Sequence, residues 1–196
     1  MRGRPVEAIL ERKLRSTSWQ EELGLLREEP SSFQETEGSP FLLCNYQMYL
    51  KHTSHLKDKD IKDTFQTNLF SVIALTQKLL PLLKNSSAGR IVNVSTILSS
   101  LTLHSAKDSP IAPAKEFAYN ASKTALNAYT VHLAQELKNT NIKVNSGHPG
   151  WVKTELGGPK APIEVEDSYK TSLRLATLDD DGPSGGLFQG DDVIPW

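Results

Sequence analysis

Arg90-Ile91-Val92-Asn93-Val94-Ser95-Thr96 is a compact β-branched run that ends in two hydroxyls. A short apolar run of this kind reads as a buried parallel strand. Upstream, Ile61, Phe65, Leu69, Val72 and Ile73 recur at helical spacing within residues 58–84, and Pro81 is expected to kink or end that helix. Downstream, residues 97–115 hold Pro110 and Pro113 and read as a loop. A second helix is expected over 116–138, with Asn139 as its stop. Residues 142–145 form another strand, followed closely by His148-Pro149-Gly150. The apolar run 41–44 is long enough for one more buried strand. Strand, helix, strand, helix, strand over 41–145 is the alternation of a parallel α/β sheet.

The flanks are less regular. Val6, Ile9, Leu10, Leu14, Leu23 and Leu26 fall close to helical spacing, and Pro30 with the Ser- and Gly-containing stretch 30–40 ends that segment. From Pro159 onward the sequence is rich in loop formers, above all over 182–190, and residues 193–196 read as one last strand. The 196 residues carry a formal net charge of −1, which gives no electrostatic case for nucleic acid or an anionic membrane. No apolar run approaches the roughly 20 residues that span a bilayer, and no secretion signal is visible. Cys44 is the only cysteine, so no intrachain disulfide forms and a reducing, cytoplasmic location is expected.

Chemistry is carried first by Tyr119 and Lys123, in Tyr119-Asn120-Ala121-Ser122-Lys123. Residues four apart share a helix face. A phenol with an ordinary pKa near ~10 needs help to work near neutrality. An adjacent ammonium favours the phenolate and lowers that pKa, making a tunable proton donor and acceptor for a carbonyl oxygen that becomes an alkoxide. The spacing is weak by itself, since an exposed Tyr beside an exposed Lys gives the same pattern. Its context strengthens it. Ser95 and Thr96 end one strand at the carboxyl edge of the sheet, where ligands of parallel sheets bind, and Pro149-Gly150 follows the next strand.

The strings IVNVST (91–96), YNASK (119–123) and KVNSGHPGWVKTE (143–155), in that order, resemble the short-chain dehydrogenase/reductase family. TFQTNLFSVIALTQKLLPLL (64–83) is similar to that family's central helix, and the resemblance extends from about residue 58 to Trp196 with a fainter match from Phe41. Within the family it is similar to the single-domain, carbonyl-reductase-like members. The resemblance implies a Rossmann-like parallel sheet with helices on both faces, and hydride transfer between NADP(H), rather than NAD(H), and a small-molecule carbonyl or alcohol. By position it implies Tyr119 as catalytic acid/base and Lys123 as the group that lowers its pKa and binds the nicotinamide ribose. Asn68 would hold a water that links Lys123 to solvent. Thr96 takes the place of the substrate-orienting serine, with Ser95 as a lesser stand-in. Asn45, Pro149, Gly150, Val152 and Thr154, together with Tyr119 and Lys123, would contact the cofactor.

The chain departs from the family in three places. Its first 88 residues hold only Gly3, Gly24 and Gly38, which make no glycine-rich phosphate-binding turn. Tyr46 and Gln47 replace small residues after Asn45, and Gly147 replaces a larger apolar residue. The chain therefore reads as an atypical helical segment over 1–40 and an N-terminally truncated catalytic part over 41–196. A catalytically inactive member that serves as an interaction or regulatory domain is the alternative. Residue by residue, plainer readings remain: Asn68 as a polar helix residue, Thr96 as a turn cap, His148 as a loop histidine and Cys44 as a small core residue. His52 and His55 make no metal site without further ligands.

Overall fold

The β-branched residues at 90–94 do form a strand, and a sheet is built outward from it. The computed structural model describes residues 53–114, 116–155 and 157–196. The expected helix at 6–28, the strand at 41–44, Asn45 and His52 lie outside the described residues. In chain order the elements are α1 (Asp58–Phe65), α2 (Ser71–Lys84), β1 (Arg90–Val94), α3 (Leu101–Ser105), α4 (Phe117–Glu136), β2 (Lys143–Gly147), α5 (Lys170–Ala176), β3 (Leu187–Gln189) and β4 (Asp192–Val193). The strands are ordered β1-β2-β3-β4. β1 and β2 pair in parallel from Arg90↔Lys143 to Val94↔Gly147. β3 joins β2 in parallel and β4 returns antiparallel.

Helices cover both faces, as expected for this class of sheet. On one face, Ile91, Ile142 and Val144 pack against Leu133, Ala134 and Leu137 from α4 and the turn after it. Polar residues continue that face toward the carboxyl edge: Asn93 Nδ2 donates to Thr130 Oγ1 at 2.8 Å, and Thr130 shares a 2.9 Å hydroxyl contact with Ser146. On the other face, a Cβ at Gly147 would lie 3.1 Å from Leu175 Cδ1 and 3.4 Å from Thr171 Cγ2, both on α5. The departure at Gly147 thus has a physical reason, because its missing side chain lets α5 approach the strand.

Several expectations need correction. The helix over 58–84 is two α-helices joined by a π-turn at Gln66–Phe70, and it runs through Pro81 to Lys84. Only one turn remains after Pro81, and Leu80 and Leu83 pack on the core, which holds that turn in place. The stretch 97–115 is not all loop. Thr96 accepts from Leu98 N to cap a 3₁₀ turn at Ile97–Ser99, and Ser100 accepts from Leu103 N to cap α3. Helix α4 stops at Glu136, before Asn139. The final strand is Asp192–Val193, not 193–196, while α5 and β3 arise where the composition reads as loop.

Candidate active site

Helix α4 carries Tyr119 and Lys123 to the carboxyl edge of the sheet. Lys123 is 7% exposed, and its Nζ donates to Val94 O, the last carbonyl of β1, at 2.8 Å. A buried ammonium is costly without such a partner. The bond also fixes the registry of helix against strand, with Tyr119 one turn nearer the helix start. The phenol of Tyr119 does not follow the expectation drawn from the pair. Burial pushes its pKa well above the ordinary tyrosine value, because desolvation penalises the phenolate. A phenol held protonated can give up a proton to a strongly basic alkoxide, so the arrangement suits an acid better than a base.

Asn68 is a polar residue on a helical turn, and it packs against α4. It is buried in the π-turn, and its Nδ2 donates to Ser122 Oγ at 3.0 Å. Ser122 in turn donates to the Tyr119 carbonyl at 2.7 Å. A wide helical turn of this type swings a side chain inward, and such turns recur at functional sites. Asn68 therefore touches the α4 segment between Tyr119 and Lys123.

The two hydroxyls after β1 divide their roles. Ser95 is 3% exposed and donates to Asn127 Oδ1 at 2.7 Å, inside the sheet–helix interface. That bond removes it as a substitute for Thr96. Thr96 Oγ1 accepts from Leu98 N at 3.2 Å, so the turn-capping reading is correct. Capping uses a lone pair and leaves the O–H able to donate. Both functions fit one hydroxyl.

The segment after β2 is held beside these groups. Ser95 N donates to Gly147 O at 2.8 Å, which ties the end of β1 to the strand that leads into Pro149 and Gly150. Gly150 has φ +86°, and a Cβ there would lie 2.1 Å from Ile163 Cδ1. Val152 forms an isolated parallel bridge with Ile163, and Lys153 N donates to Ile163 O at 2.8 Å. Thr154 is exposed, and its hydroxyl accepts from Gly157 N at 3.1 Å within a surface turn. The hydrogen bonds of Thr154 thus lie in its own turn and not with the Tyr/Lys pair. His148 is a loop histidine, as expected, and a buried one. It is 7% exposed, its Nδ1 has no hydrogen-bond partner among the described residues, and burial lowers its pKa to about 4.

Ser99, Thr124 and Asn127 were not singled out by sequence. Ser99 donates to the Thr96 carbonyl and accepts from Asn127 Nδ2, while Thr124 donates to the Ser99 carbonyl. The one available signal was that Asn127 follows Lys123 by four residues and so shares its face.

Tyr119, Lys123, Thr96, Pro149 and Gly150 thus converge on one carboxyl edge, the place where a nucleotide's reactive end binds on such sheets. The residues present fit the nicotinamide end of a dinucleotide: an ammonium, a phenol and a tight glycine turn. Among the described residues no cluster of three metal-ligating side chains occurs, and no helix is long and apolar enough to cross a membrane.

Residues 45–162 match the family model for short chain dehydrogenase. The chain is 30% identical over 139 residues to C-signal of Myxococcus xanthus, covering 70% of this chain and 79% of that protein. Carbonyl reductase Sniffer of D. melanogaster superposes with a TM-score of 0.64 at 31% identity, over 74% of this chain and 61% of that one. An NADPH-bound carbonyl reductase from chicken fatty liver gives 0.63 at 26% identity, over 74% and 58%. The chain thus spans less than two thirds of either reductase.

Proposed function

The chain belongs to the short-chain dehydrogenase family, and from that premise we propose that it interconverts small-molecule carbonyls and alcohols with NADP(H), working as a reductase. The observation that carries the proposal is the Lys123 Nζ bond to Val94 O, which holds Tyr119 and Lys123 against the strand end that leads to Thr96. Likeness to an NADPH-bound carbonyl reductase supports the choice of cofactor.

NADP(H), when bound, supplies or accepts the hydride at the carbonyl carbon. The remaining work falls to this chain's residues. Thr96 donates its O–H to the carbonyl oxygen and orients it. Tyr119 gives its phenolic proton to the same oxygen as negative charge develops there. Its raised pKa keeps it protonated across the neutral range, the form that donates. Lys123, positively charged and fixed by Val94, holds the nicotinamide ribose and stabilises the phenolate that follows proton transfer. Asn68 supports the helix between them and leads the replacement proton inward by way of water. Pro149 and Gly150 would hold the nicotinamide end, and Val152, Thr154 and Asn45 would add further contacts to the cofactor. A reducing cytoplasmic setting suits a chain with one cysteine.

The test follows NADPH oxidation at 340 nm with 4-nitrobenzaldehyde, acetophenone and a quinone as probes. Turnover that falls by roughly 10²-fold or more in Tyr119→Phe is expected, the upper part of the range for loss of a general acid. Turnover unchanged by that substitution overturns the assignment. A folded chain that binds no NADPH and turns over none of the probes supports an interaction or regulatory domain instead.

A further inference from the structure

The stripe that carries Tyr119 and Lys123 continues one turn further, to Asn127, at successive steps of four residues. Asn127 is 3% exposed and uses both ends of its amide. Its Oδ1 accepts from Ser95 Oγ at 2.7 Å, and its Nδ2 donates to Ser99 Oγ at 2.6 Å. Ser99, 1% exposed, passes its own proton to the Thr96 carbonyl at 2.5 Å. The Ser99 carbonyl is held in turn by Thr124 Oγ1 at 2.8 Å. Ser95 and Ser99 bracket Thr96, so α4 grips the Thr96 segment on both sides.

One direction in this ring is fixed by a carbonyl, while Ser95 Oγ also lies 3.4 Å from Ser99 Oγ and Thr124 Oγ1 also donates to the Asn120 carbonyl at 2.9 Å. A carbonyl only accepts, so Ser99 gives its proton to Thr96 O. Ser99 Oγ must then be the acceptor for Asn127, and only the amide nitrogen can supply that bond. We propose that Asn127 is a positioning residue for carbonyl reduction, which, through Ser95 and Ser99, holds the Thr96 hydroxyl in register with Tyr119. This inference rests on the reductase reading above. Asn127 acts through others, and its effect is on the placement of the substrate oxygen between two donors. Misplacement of a reacting group by about 1 Å is enough to cost on the order of 10²-fold in rate.

The experiment measures kcat and KM for 4-nitrobenzaldehyde, and Kd for NADPH, in the full chain, three single variants and the Asn127→Leu, Ser99→Ala double variant. Asn127→Leu removes both amide bonds at similar volume. Ser99→Ala removes the link to the Thr96 carbonyl and is the milder change should Asn127→Leu fail to fold. Thr130→Val is the control, because it deletes a buried hydroxyl bonded to Asn93, Ser146 and the Leu126 carbonyl on the same helix, yet touches nothing near Thr96. A 10- to 100-fold loss in kcat is expected for Asn127→Leu and Ser99→Ala, with NADPH Kd within twofold of wild type. The double variant should lose no more than the worse single one, since both act through one bridge. Thr130→Val should keep kcat within threefold, although it lowers the unfolding midpoint. If wild type turns over while Asn127→Leu or Ser99→Ala stays within twofold, or if Thr130→Val falls as far as they do, this inference alone is overturned. No turnover by wild type overturns the reductase reading and this inference together.

Discussion

Gly150→Ala is the substitution whose cost the structure specifies most fully. Two independent penalties meet at this residue. Its φ of +86° lies where L-residues are strained, at about 1–2 kcal/mol for alanine. The new Cβ would also lie 2.1 Å from Ile163 Cδ1, against an ordinary carbon contact of roughly 3.5–4.0 Å. That Cδ1 is the end of a half-buried side chain and can turn away, so repacking adds about 1–3 kcal/mol. The sum is about 2–5 kcal/mol, to be read as a shift of the urea unfolding midpoint at constant slope. Ile163→Val separates the two penalties, because it deletes the clashing Cδ1 and no other atom. Alone it should cost about 0.5–1 kcal/mol, the low end for a half-buried site. Combined with Gly150→Ala it should recover the overlap and leave only the backbone strain of about 1–2 kcal/mol. A Gly150→Ala loss under about 0.5 kcal/mol, or strictly additive single variants, would refute the reasoning for this turn.

Two further predictions concern single side chains. Thr96→Val keeps the shape and deletes the hydroxyl, so it should lower kcat by at least about tenfold while Thr96→Ser keeps most of it; steady-state kinetics separate the two, and equal losses would deny the hydroxyl a role. His148, neutral in the fold down to pH of about 4, takes up a proton near 6.5 once unfolded. Its contribution is therefore complete above about pH 6.5 and falls as pH drops, by about 1.4 kcal/mol per unit until about pH 4. His148→Leu should flatten that slope in urea titrations run between pH 7 and 4.5, and an unchanged slope would place its cause elsewhere.

The strongly periodic parts of the chain were legible in advance, and the locally encoded parts less so. Residues 58–84 and 116–138 show their helical period because each buries one face along many turns. The π-turn at Gln66–Phe70 was invisible, since one extra residue per turn leaves the apolar spacing almost intact. β3 is three residues long between glycine-rich turns, too short for any period to show. α3 was hidden by the nearby prolines, although Ser100 at its start is an ordinary cap. Tyr119, Lys123, Thr96 and Gly150 were found through their order along the chain and a family resemblance. Asn127 was not, because its bonds join residues 28 and 32 positions apart, and its place four residues after Lys123 is the one local sign of them. The direction of the Tyr119 shift was also misjudged. A charge four residues away is visible in sequence, whereas desolvation of the phenol belongs to the folded environment.

The most direct test of the account is NADPH binding to the purified chain, followed by fluorescence titration beside Tyr119→Phe and Lys123→Met. Saturable binding is expected for wild type and for Tyr119→Phe, with affinity reduced in Lys123→Met, whose ammonium would hold the ribose. A folded wild-type chain that shows no saturable NADPH binding would contradict the account.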